Sequence, residues 1–140
     1  MSATLLAGIS RTTEPQAVLR RFLALDAVVT GANGLAYVAA SGPLGRLLGV
    51  ESVLLLELGI LLALFAAGVG SLASRRQPPR LPVKFVVDAN LLWAVLSVAA
   101  LVLWLEPSTA GVVWIPVQAI TVAGFAALQW SALRRATTTA

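Results

Sequence analysis

Neither cysteine nor histidine occurs in the 140 residues, and the only methionine is Met1. These absences remove disulfides, thiol nucleophiles and the usual zinc ligands. They also remove the His, Cys and Met axial ligands of haem, leaving Tyr37 as the single candidate for the rare tyrosinate type. Ser41, Ser52 and Ser108 have no base at hand, and no phosphate-binding loop is present. Neither an enzyme nor a bound metal or cofactor is therefore expected. Charge is also scarce: Asp, Glu, Lys and Arg make up 11% of the chain, against roughly 25% in soluble domains. A water-soluble core is a poor description of such a sequence.

Apolar residues are what the chain has in abundance. They account for 59% of it, and the mean hydropathy is +0.90. Four long runs cover residues 22–40, 52–73, 85–105 and 112–133. Each comes close to or exceeds the ~20 residues that carry an α-helix across ~30 Å of hydrocarbon. The runs are continuously apolar, whereas a membrane β-barrel needs short alternating segments. The expected fold is all-α, one membrane domain over residues 1–140, built as a bundle of four transmembrane helices.

Eight of the ten basic residues stand in three clusters: Arg20 with Arg21; Arg75, Arg76, Arg80 and Lys84; and Arg134 with Arg135. With Arg11 they lie on one side of the four runs, and only Arg46 lies on the other. That asymmetry is the positive-inside pattern, placing both termini and the loop 74–84 in the cytoplasm of a multi-pass protein of a bacterial cell membrane. The pI of about 11.2 then reflects orientation and contact with lipid headgroups rather than nucleic-acid binding. The stretch before Pro15 lacks the basic leader and apolar core of a cleaved signal peptide. Arg20 and Arg21 before the first run suggest a retained anchor, although the residues from Tyr37 to Ser41 could pass for a weak cleavage site.

Local signals divide the chain further. Thr13, Glu14 and Pro15 read as a helix start, and Ser41, Gly42 and Pro43 end that helix. Residues 42–50, with Leu44, Leu47 and Leu48, form a short outer segment in the interface. Pro78, Pro79 and Pro82 interrupt the basic loop. Pro116 falls in the first turns of the fourth span, where its missing donor costs little. The halves look related: a shift of 60 positions lays Ala63, Phe65, Ala66, Ala67 and Ser71 onto Ala123, Phe125, Ala126, Ala127 and Ser131. A shift of 62 lays Asp26 onto Asp88. Two tandem hairpins related by a parallel pseudo-two-fold would follow.

Polar residues inside the spans need a reason. Asp26, Glu57 and Asp88 are carboxylates, and an ionised one at a helix centre costs about 2.5–3.5 kcal/mol on insertion scales. Asp88 has Lys84 one turn earlier. Arg21 or Arg80 could snorkel towards Asp26. Glu57 has no local cation and is expected to bond another helix. Asp26, Thr30, Asn33 and Tyr37 share one face of the first span. The third span adds Asn90, Trp93 and Ser97, and the fourth adds Gln118, Thr121, Phe125 and Gln129. Turned to lipid these groups would go unsatisfied, so they should converge within the bundle or at an oligomer interface.

Small residues recur every fourth position in two rows: Gly59, Ala63, Ala67 and Ser71, then Ala119, Ala123, Ala127 and Ser131. Such rows let helix backbones approach, either as a dimer seam or as an internal contact in which the two rows satisfy each other. Trp104 and Trp114 flank the outer turn and Trp130 the inner end, as an aromatic belt would. Trp93 lies deeper, as a packing residue or a contact for a ligand.

Four spans with Arg-rich cytoplasmic ends and abundant Ala, Leu and Val resemble uncharacterised small integral membrane proteins of high-GC bacteria. That resemblance carries no motif onto which a functional residue could be placed. Small multidrug exporters also have four short helices and an intramembrane Glu, but theirs stands in the first helix and Glu57 stands in the second. Three readings remain open. One is an oligomeric carrier or channel-like protein moving a proton, cation or small solute past the intramembrane acids. Another is a non-catalytic accessory subunit of a larger membrane partner. The third is an intramembrane module binding a lipid or isoprenoid.

Overall fold

The computed structural model describes the backbone of residues 2–138 and the side chains of residues 16–136. Five helices follow one another: α1 (Ser2–Ala39), α2 (Ser41–Leu48), α3 (Ser52–Ala73), α4 (Arg80–Leu103) and α5 (Thr109–Thr138). The four longer ones carry apolar spans at Gln16–Ala39, Ser52–Ala73, Arg80–Leu103 and Thr109–Ala136. Their outward surfaces are hydrocarbon: Leu64 and Phe85 are each 68% exposed and Leu103 84%. Apolar exposure of that kind on all four helices is a lipid-facing surface, and the chain is a multi-pass membrane protein.

Helix limits differ from the sequence signals where proline was given too much weight. The backbone of α1 is helical from Ser2, through Pro15, so Thr13 does not cap its start. Only residues 74–79 leave the helix between α3 and α4, because Pro79 caps α4 and Pro82 falls in its first turn, where N–H groups are unpaired anyway. Pro116 lies well inside α5 rather than in its first turns. It leaves the Val112 carbonyl without its helical donor.

Along each long helix a set of buried positions recurs at steps of three, four or seven. They are Leu19, Leu23, Asp26, Thr30, Gly34 and Tyr37 in α1; Leu55, Gly59, Leu62, Ala66 and Val69 in α3; Val83, Val87, Asn90 and Ala94 in α4; and Ile115, Ala119, Ala126 and Gln129 in α5. This is the near-heptad spacing of left-handed bundle packing. Rows at a strict spacing of four turn by about 40° per step, so they leave the interface. Gly59 and Ala119 are buried and Ala63 and Ala123 half-buried, but Ala67, Ser71, Ala127 and Ser131 are exposed. Nor do the two rows meet. Gly59 and Ala63 of the α3 row face α1 instead.

The α1–α3 contact is a backbone crossing. A Cβ on Gly34 would stand 2.8 Å from the Ala63 nitrogen and 2.9 Å from the Gly59 oxygen, and one on Gly59 would stand 2.8 Å from the Gly34 oxygen. Around this crossing α1 lies between α3 and α5, α5 lies between α1 and α4, and α3 scarcely touches α4. A parallel two-fold relating the hairpins would make the α1–α5 and α3–α4 contacts alike. They are not alike, and the halves are not equivalent in packing.

Each end is tied separately. At the basic end Leu19, Leu23, Val69, Val83, Val86, Ala132 and Leu133 form one cluster drawn from all four long helices. The Arg20 Nε also donates to the Ala73 carbonyl at the end of α3 (3.0 Å). At the other end α2 closes over the start of α5. Gly49 caps α2 at φ 70°, a conformation that favours glycine, and Ser108 N–H donates to the Leu48 carbonyl at 3.0 Å.

Substitution of glycine tests the crossing. Gly34→Ala and Gly59→Ala should each lower the unfolding temperature in detergent, because the added carbon meets backbone. Gly68→Ala and Gly124→Ala, where it would meet nothing within 4 Å, should be neutral or stabilising by up to ~1 kcal/mol. Equal effects at all four positions would exclude the backbone contact as the source.

Candidate functional site

Asp26 is fully buried, and it is the centre of the polar interior. One carboxylate oxygen accepts from Thr30 Oγ1 at 2.8 Å, a turn along α1. The other accepts from Asn90 Nδ2 of α4 at 2.8 Å and from Gln129 Nε2 of α5 at 2.7 Å. Asn90 Nδ2 also donates to Gln129 Oε1 at 3.2 Å. Three helices thus meet at one acceptor, with Asn90 and Gln129 closing a ring around it. Every partner described for Asp26 is uncharged. Arg21 and Arg80 are exposed, and Arg20 is engaged with α3, so the expected snorkelling arginine is not what satisfies the acid.

The common depth of these residues follows from the basic ends. Asp26 lies five residues past Arg21, Asn90 six past Lys84, and Gln129 five before Arg134. At 1.5 Å per residue each sits about 8–9 Å inside its cluster. A carboxylate offers about four lone-pair positions, and three are filled by side chains that could not face lipid without losing their partners.

A second polar layer lies nearer the opposite end. Trp93 Nε1 donates to Gln118 Oε1 at 2.8 Å, and Gln118 Nε2 donates to the Ile115 carbonyl. Trp114 Nε1 donates to Tyr37 Oη at 2.7 Å. Tyr37 packs with Leu55 and Leu62, and Trp93 packs against that cluster. These bonds join α4 to α5 and α1 to α5, and they fix Trp93 within the packing.

The remaining candidates do not converge. Asn33 is half-buried on the α1 stripe, outside both sets of bonds. Thr121 is exposed and returns its hydroxyl proton to the Val117 carbonyl of its own helix. Glu57 and Asp88 are exposed. Among the described residues no group of acids could hold a metal ion. Two depressions lie on the outside, one along α4 and α5 and one beside Arg20 and Arg21. Gln129, which shares its stripe with Gln118, is the interior residue that matters most on α5; distance from the arginine cluster is the signal that singles it out.

Removing the acceptor should be the costliest change. Asp26→Leu orphans three donors, and a buried polar group left without its partner costs about 1–3 kcal/mol. Its unfolding temperature in detergent should fall further than that of Thr30→Val, which removes one bond. Asn90→Leu and Gln129→Leu should combine non-additively, as members of one network do. Additive effects, or an Asp26→Leu protein as stable as the parent, would refute the ring. Compared with protein-family models, curated proteins and solved structures, the chain matches none.

Proposed function

We propose that this is a non-catalytic membrane subunit that acts by assembling in the plane of the bilayer, through the outer face of α3. The observation that carries this reading is Glu57, an exposed acid on the most apolar span, whose mean hydropathy is 2.4. Val53, Glu57, Ile60, Leu64, Ala67 and Ser71 are all exposed and again fall at steps of four and three. The stripe has the spacing of a helix interface and, among the described residues, no helix packed over it. Its small residues, Ala67 and Ser71, would let a second helix approach closely.

A second copy satisfies Glu57 best. A two-fold axis along the membrane normal brings the same residue from each protomer together at one depth. A protonated carboxyl both donates and accepts, so it is its own complement. In the cell membrane the basic ends and both termini lie in the cytoplasm, as the positive-inside pattern directs.

Mass measurement in detergent and subunit counting in liposomes test the seam. The parent and Glu57→Gln should be dimeric, since the amide also donates and accepts, whereas Glu57→Leu should be monomeric yet fully helical. A Glu57→Leu dimer would remove the carboxyl from the interface. Proton flux through liposomes that Glu57→Gln abolishes would replace the scaffold with a carrier whose pathway runs between copies.

Orientation is checked by labelling, because the chain has no cysteine of its own. Single cysteines at Gln77 and Arg135 should react only from the cytoplasmic side, and at Arg46 only from outside. Labelling of Gln77 and Arg135 from opposite sides would break the topology.

A further inference from the structure

The geometry points to a binding site for an amine-bearing zwitterionic phospholipid, phosphatidylethanolamine, in the outward groove between α4 and α5. This site is separate from the α3 face. The groove has a volume of about 250 Å³, and its lining includes Lys84, Asp88 and Leu91 of α4 with Ala126, Ala127 and Trp130 of α5. It lies at the basic end, at the level where a phospholipid changes from headgroup to acyl chain.

The shape comes from unequal side chains. Leu91 forms one wall. Across from it the small side chains of Ala126 and Ala127 leave the α5 surface low. Trp130 is half-buried, and helical side chains lean over the turn that precedes them, so the indole covers the turn bearing Ala126 and Ala127. The result is an apolar trough for an acyl chain beneath an aromatic rim, where indoles favour the interface.

The charges choose the headgroup. Lys84 and Asp88 are both exposed and stand one turn apart on the groove side of α4. Their Cα–Cβ bonds tilt towards the start of α4, that is, towards the headgroup layer. The flexible lysine stem carries its ammonium up to a phosphate. Asp88, about 6 Å deeper along the axis, is an acceptor that needs a donor at the hydrocarbon boundary. A primary ammonium folded back beside its phosphate supplies that donor. An anionic headgroup would answer Lys84 and be repelled by Asp88. A trimethylated amine has no N–H to give.

Native mass spectrometry of the full chain in detergent tests this, with phosphatidylethanolamine, phosphatidylcholine and phosphatidylglycerol of identical acyl chains supplied in equal amounts. The parent should retain the first about tenfold over the other two, the ratio that ~1.4 kcal/mol gives. Asp88→Asn should erase that preference, and Lys84→Gln should weaken retention of all three. Ala127→Leu, at an exposed position where the fold has no stake, should abolish retention by filling the trough. Circular dichroism confirms that each variant remains helical, and Ala127→Leu alone decides the matter should Asp88→Asn misfold. Equal retention of the three lipids, preference for phosphatidylglycerol, or a preference untouched by Ala127→Leu would overturn the site.

Discussion

Hydrocarbon offers no partner to a polar group, so every donor and acceptor within the spans must be answered by protein. Asp26 is where that constraint is met most fully. Its two oxygens gather Thr30, Asn90 and Gln129, and the demand of one acid for three donors fixes α1, α4 and α5 in rotation and in depth at once. Apolar packing could not do this alone. A leucine slides past other leucines, or past lipid tails, with little change in energy, whereas a displaced Gln129 would leave its own amide, Asn90 and Asp26 all short of partners. Interhelical polar contacts in membranes average only about 0.6 kcal/mol each. The value of this ring therefore lies more in register than in total stability.

The remaining span, α3, is held by other means. It contributes nothing to the ring and lies against α1 where Gly34 and Gly59 bring the backbones together. Close approach gains dispersion contacts along the whole crossing, and it needs small residues on both sides. Three acids in the spans thus meet different ends. Asp26 is consumed by architecture, while Glu57 and Asp88 remain on the outside, where an interior role is closed to them.

Much of this was legible in the sequence. Four spans followed from run length, and the α1 stripe from Asp26 to Tyr37 followed from periodicity; three of its four members are buried, as a shared face requires. The small-residue rows misled because identity of spacing is not constancy of direction. A step of four residues drifts around the helix, while alternating steps of three and four stay on one side. Gly34 of α1 was the counterpart of Gly59 and Ala63, hidden because it belongs to no row of small residues at four. Gln129 was no more conspicuous than Gln118 by residue type. Counting inward from the arginines separates them, since only Gln129 shares the depth of Asp26 and Asn90. The inequivalence of the hairpins could not be read, because it depends on which helices neighbour one another in space, and a matched Asp26 and Asp88 say nothing of that.

The weak side of the bundle lies between α3 and α4. The basic-end cluster and the Arg20 bond to Ala73 fasten α3 at one end, and α2 ties the first hairpin to α5 at the other. Between those fastenings α3 lies chiefly on α1, with Trp93 of α4 packed against the cluster of Tyr37, Leu55 and Leu62, and its opposite face carries Glu57. A load applied to that face passes to α1 through the Gly34–Gly59 crossing and, at the basic end, into the cluster shared with α4 and α5. α3 itself supplies no hydrogen bond to the buried acid, whose described partners lie on α1, α4 and α5. The separation has a physical basis: backbone contact between glycines transmits position but places no polar demand on what lies beyond it, so the register of α1, α4 and α5 is set independently of whatever α3 faces.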